Sequence, residues 1–350
     1  MVSRTNHLVS ILIPAYNAER WIREAIVSAL GQTWSRIEII VVDDGSTDRT
    51  LAVAQSLRSS RVNVVRQDNA GASAARNRAL ALAQGTYVQW LDADDLLHPA
   101  KVERQLARAE DGMTSRTLLT ASWARFFYRP EKAQRIPDCL WQDMSPVDWL
   151  VAKFSSNAWM NPAVWLVSRR LTELAGPWDE RLSSDDDGEY ISRVVAESDH
   201  VRFVADATAY YRMGNVGSLS WKMDRRKESL APLALALTLS IARLRSLDDS
   251  ERTRAASLRL LEAFSGYFYG ARQHPSFLAL QALARNLGGH LDPPKVSWKY
   301  YPLEKMLGPD ATACAMNGWR DAKLLSRRIW DLTLYRLTSR PHAAAVLKSP

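Results

Sequence analysis

The chain has 350 residues, 47% of them hydrophobic and 24% charged, with a formal net charge of +8. That length and balance suit one large or two medium globular domains with cores of their own and exclude an intrinsically disordered chain. The positive excess lies in residues 221–350, which predicts an acidic partner for that half: nucleic acid, an anionic bilayer surface or an anionic glycolipid.

Met1 to His7 lack the apolar core of a signal peptide. Leu8 to Pro14 and Ile37 to Val42 are short continuous apolar runs, the pattern of strands buried on both faces. Between them Trp21, Ile22, Ala25, Ile26, Ala29 and Leu30 recur at helical spacing over 18–30, with Asn17 placed to cap. Ser46 or Thr47 can cap a second helix running to Leu57, Val62 to Arg66 reads as a strand, and Ala72 to Ala83 as an alanine-rich helix ended by Gly85. Thr86 to Leu91 is strand-like again. Such alternation predicts an α/β fold, a sheet flanked by helices, whose ligands gather beyond the carboxyl ends of the strands.

From Leu140 to Tyr211 the texture is mixed, with tryptophans at 141, 149, 159, 165 and 178. After Arg226 the sequence is mainly helical, so we expect domains at 1–225 and 226–350, with the boundary between Trp221 and Glu228. Leu230 to Leu244 is interrupted by Pro232, Ser240 and Arg243, so no membrane span is expected. Cys139 and Cys314 lie far apart without a Cys-x-x-Cys or histidine companion, which predicts neither a disulfide nor a zinc site. A cytoplasmic protein is expected, peripheral at the inner face of the cell membrane if its basic half binds lipid.

The chemistry-bearing residues stand where the strands end. Ile39 to Val42 runs into Asp43-Asp44-Gly45-Ser46, and Trp90-Leu91 into Asp92-Ala93-Asp94-Asp95. Singly, the first is a good turn and helix cap and the second a solvated helix start. Together, at successive strand ends, they suit a polar ligand or a hard divalent cation held through oxygen atoms, and Asp92 and Asp94 can leave a strand end on one side.

Ser10-Ile11-Leu12-Ile13-Pro14-Ala15-Tyr16-Asn17, Val41 to Asp48, Asn69 to Asn77 and Leu91 to Asp95 resemble, in order, the motifs of family 2 glycosyltransferases. Gly176-Pro177-Trp178-Asp179 followed by Asp185 to Arg193 completes the likeness over residues 8–220. The resemblance implies a GT-A fold, a Rossmann-like mixed sheet flanked by helices, here followed by a mainly α-helical C-terminal region. It implies an inverting transfer of a sugar from a nucleotide diphosphate, UDP favoured and GDP or dTDP open, to a hydroxyl of a glycan or lipid-linked glycan, as in the building of bacterial cell-surface polysaccharide. Mn²⁺ or Mg²⁺ would assist.

Carried onto these residues, Pro14, Ala15, Tyr16, Asn17 and Gly71 line the nucleotide, Asp44 accepts from its base and Arg76 approaches it. Asp92 faces the ribose or the metal's water shell, and Asp94 binds the cation. Asp187 is the general base, with Asp186 the alternative one residue away. Arg212 and Asn215 belong to a loop expected to close as a lid about Gly214 and Gly217; relatives often carry a histidine where Gly214 stands here. A basic amphipathic segment, Asn317 to Arg340, can lie on an anionic membrane or dock on its own domain. A non-catalytic nucleotide-sugar-binding scaffold is the competing function; a nucleic-acid module lacks any recognisable reading motif.

Overall fold

The computed structural model of the chain describes residues 7–109, 114–214, 227–268, 271, 273–292 and 298–338. The two apolar runs form β1 (Val9–Ala15) and β2 (Ile37–Asp44), parallel neighbours with Val9 opposite Ile37 and Ala15 opposite Asp43. Nearly every side chain of both is buried, as continuous apolar runs require. α1 (Ile22–Leu30) buries Ile22, Ala25, Ile26 and Ala29, the stripe its spacing predicts. Asn17 does not cap it. Trp21 is the N-cap without a side-chain bond, and Asn17 Oδ1 accepts instead from Thr47 N at 2.9 Å.

α2 (Thr50–Gln55), β3 (Val62–Gln67), α3 (Ala72–Leu82) and β4 (Tyr87–Trp90) follow. The order β3-β2-β1-β4 is parallel throughout and changes direction at β1, which opens a crevice beyond the strands' carboxyl ends. The remaining elements are β5 (Leu96–Leu97), α4 (Lys101–Ala109), β6 (Thr117–Phe126), β7 (Gln134–Arg135), α5 (Pro146–Ser156), β8 (Leu166–Ser168), α6 (Arg169–Ala175), α7 (Asp186–Glu197) and β9 (His200–Arg212). The sheet continues β4-β8-β6-β9-β5. β8 runs antiparallel to β4 and β6, β9 lies parallel to β6, and β7 pairs with β6 outside that path, so the sheet is mixed.

Local chemistry sets the helix ends near the site. Ser145 accepts from Asp148 N to open α5, whose first residue is Pro146, and Asn157 closes it in the left-handed conformation. Asp185, also left-handed at φ 52°, precedes α7.

Among the described residues four further helices follow: α8 (Leu230–Leu247), α9 (Glu251–Ser265), α10 (Pro275–Asn286) and α11 (Tyr301–Thr338), the last broken at Gly308, where φ is 78°. α8 packs on α7 and α9 on α5, and their apolar side chains join the same core as β1 and β2. By length and composition α8 could cross a membrane, contrary to the expectation from its interruptions. In the fold Leu233, Leu237, Ile241 and Leu244 are buried. The segment expected to hold the domain boundary lies mostly outside the described residues.

Candidate active site

Two loops at the carboxyl ends of β1 and β2 are stitched together. Asn17 N donates to Ser46 Oγ at 3.0 Å, Ala18 N to Thr50 Oγ1 at 2.7 Å, and Glu19 N to Asp48 Oδ2 at 3.1 Å. Asn17 sits at φ 48°, a conformation asparagine tolerates because its short amide can bond locally. These bonds fix a wall in which Ala15 is buried, Pro14 half-buried and Tyr16 48% exposed.

The adjacent carboxylates of β2 divide the work in a way the sequence does not reveal. Asp44 is buried and saturated: Gln67 Nε2 and Ala70 N donate to Oδ1, Asn69 Nδ2 and Gly71 N to Oδ2, all within 2.8–3.1 Å. It ties the loop before α3 to β2, so its expected part as an acceptor for a base is already taken by the chain. Gly71, at φ 94°, presents its N–H to Asp44 in a conformation that disfavours a side chain. Asp43 takes one long bond from Ser46 N at 3.3 Å, and its buried Oδ1 has no partner.

The second acidic run is also divided. Asp95 is fully buried, accepting from Arg212 N at 2.8 Å and from Asn161 Nδ2. Burial holds its carboxyl well above the usual carboxylate range, and the charges of Asp94 and Asp92 push it further. Arg212, expected in a lid, is a buried strut: Nε donates to Asp94 O at 2.7 Å, one Nη to Phe127 O and the other to Glu24 Oε2 at 2.6 Å. Its guanidinium lies over Trp21 and Phe126. Asn215 and Gly217 lie outside the described residues.

Gly214 has φ 76°, and a Cβ there would stand 3.2 Å from Arg328 Cδ and 3.3 Å from the Phe127 ring. The backbone there disfavours any side chain, and the Phe127 and Arg328 side chains would have to give by a few tenths of an ångström to admit one.

Arg76 joins the two halves of the site. It is buried, stacks over Trp178 at 4.4 Å, and donates to Asp186 Oδ2 at 2.6 Å and Asp92 Oδ1 at 3.1 Å. Its guanidinium is committed to carboxylates, whereas the resemblance implied an approach to the nucleotide. Desolvation opposes its charge, yet Asp186 and Asp92 together hold its pKa above the ordinary arginine value.

Asp187, next to Asp186 in the first turn of α7, is half-buried. Its Oδ1 accepts from Gly188 N at 2.9 Å and its Oδ2 from Trp159 Nε1 at 3.3 Å. Burial, with Asp186 beside it, pushes its carboxyl up to about 6 against the pull of Arg76 and Lys153. Asp185 is raised to about 7 by burial, with Lys153 opposing. Trp159 is the member of this constellation that sequence reasoning missed as a site residue.

A divalent cation fits the donor set. Asp92 and Asp94 offer only oxygen atoms, and among the described residues no group of three protein ligands is assembled. Such a cation would take its remaining ligands from diphosphate and water, the habit of Mg²⁺ and Mn²⁺ in phosphate sites. Among the described residues Asp92, Asp94, Asp95, Asp185, Asp186 and Asp187 outnumber the cations Arg76, Lys153 and Arg212, which favours added positive charge. A separate cleft of about 880 Å³ between the 177–181 turn, α7 and α8 shares Trp178 with the site; Pro177, Leu239 and Ala242 line it together with the ion pairs Asp179–Arg181 and Glu189–Arg193.

Comparison with known proteins agrees with this architecture. Residues 10–141 match the model of Glycosyl transferase family 2. The chain is 36% identical over 171 residues to an uncharacterized glycosyltransferase of Escherichia coli K12, YibD, covering 47% of this chain and 49% of that protein. It is 45% identical over 98 residues to an Escherichia coli chondroitin synthase, covering 27% of this chain and 14% of that one. The match thus spans about half the length, or less, of these curated relatives.

Among solved structures, Staphylococcus aureus TarS 1–349 in complex with UDP-GlcNAc superposes with a TM-score of 0.64 at 18% identity, over 90% of this chain and 92% of that one. A Pyrobaculum calidifontis mannosyltransferase in complex with GDP-Man and Mn²⁺ gives 0.52 at 17%, over 91% and 89%. These likenesses show the GT-A-like fold. The likeness to glycosyl transferase family 2 is carried by residues 10–141, the part of the chain that holds β1 to β6 and both strand-end acid runs.

Proposed function

We propose that the protein is an inverting glycosyltransferase that moves a sugar from a nucleotide diphosphate to a hydroxyl of a glycan or lipid-linked glycan. The observation that carries this reading is Arg76, which bonds Asp92 of one acid cluster and Asp186 of the other. It brings cation-ligand candidates and a candidate base into one site. Neither cluster needs this proximity for stability, since crowding carboxylates is unfavourable unless a ligand uses them.

The donor lies against Pro14, Ala15 and Tyr16, beside the loop that Asp44 ties to β2. Asp94 and Asp92 hold a Mn²⁺ or Mg²⁺ ion, which when bound neutralises charge on the departing diphosphate. Asp187 takes the proton from the acceptor hydroxyl as that oxygen bonds to the anomeric carbon. The bond from that carbon to the phosphate oxygen breaks, its electron pair leaves with the diphosphate, and attack from the opposite side inverts the carbon. UDP is the favoured carrier, by the family resemblance and by the ligand of the TarS complex.

The exposed face of α11 is assigned to an anionic bilayer, which would bring the site to a lipid-linked acceptor. Leu325, Ile329, Trp330 and Leu337 are exposed there beside Arg327 and Arg336.

Calorimetric titration with UDP, GDP and dTDP, each with and without Mn²⁺, tests the reading on wild type and Asp94→Ala. Metal-dependent binding of one nucleotide, lost in the variant, is the expected result. Binding by none of them overturns it.

A further inference from the structure

Asp186 and Asp187 face different partners. Asp186 is held by Arg76, which also holds Asp92 at the end of β4, whereas Asp187 is held by Trp159. Trp159 belongs with the other half of the sheet. Its ring meets Trp123 of β6 at 5.2 Å edge to face and Tyr211 of β9 at 5.0 Å. The start of α7 therefore divides a donor side, built on β1, β2 and β4, from an aromatic side built on β6 and β9.

That aromatic side is not simply core. Trp123 is buried, but Trp159 and Tyr211 remain partly exposed. Among the described residues the indole N–H groups of Trp123, Trp141, Trp149, Trp165 and Trp178 are buried without a partner. The chain thus tolerates unpartnered indoles elsewhere, and the Trp159 bond to Asp187 is particular to this place. A hydroxyl that gives its proton to Asp187 must lie within about 3 Å of its carboxylate, and Trp159 already stands 3.3 Å from that group. A sugar that carries the hydroxyl is therefore within reach of the indole.

From this juxtaposition we infer that Trp159, braced by Trp123 and Tyr211, is the platform on which the terminal pyranose of the acceptor lies, its apolar C–H face on the indole and a hydroxyl toward Asp187. A pyranose suits the place because it combines an apolar face with equatorial hydroxyls, as an indole combines an apolar body with a polar edge. The inference rests on the transferase reading and names the acceptor class for the same site.

Saturation-transfer NMR on the full chain tests it without requiring turnover. The probes are methyl β-glucopyranoside, methyl β-galactopyranoside and methyl β-N-acetylglucosaminide, each measured with UDP, GDP or dTDP and Mg²⁺ present. Ring C–H signals of at least one glycoside are expected in wild type, retained in Trp159→Phe and weakened roughly three- to tenfold in Trp159→Leu. Nucleotide signals should persist in both variants, showing that the fold and donor side survive. Equal glycoside signals in wild type and Trp159→Leu, or no glycoside signal while nucleotide binds, overturns the platform. Glycoside signals lost with Trp159 in a protein that binds no nucleotide would support the platform and remove the transferase reading instead.

Discussion

Arg76 Nη1 stands 2.6 Å from Asp186 Oδ2, across 110 residues of sequence, and the same guanidinium reaches Asp92. The side chain of Arg76 is 7% exposed, those of Asp186 and Asp92 17% and 32%. Removing the cation leaves partly buried carboxylates to repel one another, so Arg76→Ala should lower stability by about 2–4 kcal/mol, below the full value of a buried pair because the acids keep some water. Arg76→Lys keeps the charge but cannot fork to two carboxylates. Thermal unfolding should rank wild type above Lys above Ala, and equal midpoints would show that Arg76 is not the clamp.

Activity and stability should move in opposite directions with pH. Asp187 and Asp185 are raised to about 6 and about 7, so between the ordinary carboxylate pKa and these values the native state holds protons that the unfolded chain has released. Their contribution to stability is full below about pH 4 and is lost as pH rises through 6 and 7. A base must be ionised, so transfer should rise through about pH 6 and level off above it. The groups facing Asp187 are Asp186, Arg76, Lys153 and Asp92. Asp187→Asn should abolish transfer, whereas Asp185→Asn should keep the same rising limb. A rate flat from pH 5 to 8 would remove Asp187 as the base.

Asp43 and Asp44 should separate in mutagenesis although they are adjacent and identical. Asp44→Asn loses a carboxylate that accepts from Gln67, Asn69, Ala70 and Gly71. The unfolding midpoint should fall by an amount equivalent to about 1–3 kcal/mol. Asp43→Asn disturbs one long bond at a fully buried carboxylate, so its midpoint should fall by less, the equivalent of about 1 kcal/mol or under. The reverse order would show that Asp44 is not the tie between β2 and the loop before α3.

How much of this was legible in the sequence depended on the range of the interaction. β1, α1 and β2 declared themselves through continuous or 3.6-residue apolar patterns, which are local. β6 and β9 did not, because their mixed residues carry no single period. The acids at 43–44 and 92–95 were found by position at strand ends and Asp186 and Asp187 by the family resemblance, but their partners were not: Arg76 to Asp186, Arg212 to Asp94 and Trp159 to Asp187 each join residues brought together only by the fold. Asn17 shows the same limit at short range. Its type fits a cap, yet the backbone it satisfies belongs to the neighbouring loop.

Gly214→His is a sharp probe of the loop after β9. A histidine, which the family resemblance implies at this place, would put a side chain at φ 76° against Phe127 and Arg328. The strain alone is about 1–3 kcal/mol. Lower stability with no gain in metal affinity is expected, measured by unfolding and by Mn²⁺ titration. A variant as stable as wild type would mean that α11 yields at this contact.

The face of α11 that docks and the face that is exposed can be tested apart. Asp331 accepts from Tyr128 N at 3.0 Å and from Arg129 at 2.8 and 2.6 Å, Arg328 Nε donates to the Tyr128 hydroxyl, and Tyr335 stacks near Tyr128. These contacts recur at i, i+3 and i+7 and define the docked stripe. Ile329 and Trp330, 54% and 68% exposed, lie outside it. Ile329→Asp with Trp330→Asp should therefore leave the unfolding midpoint within about 2 °C, since exposed sites cost little. The pair should nevertheless abolish co-sedimentation with phosphatidylglycerol vesicles, while wild type sediments with these and not with phosphatidylcholine alone. Asp331→Ala should do the opposite, loosening α11 from the 127–129 loop while sparing lipid binding. Wild-type protein that ignores anionic vesicles would return the exposed apolar residues to the status of ordinary surface.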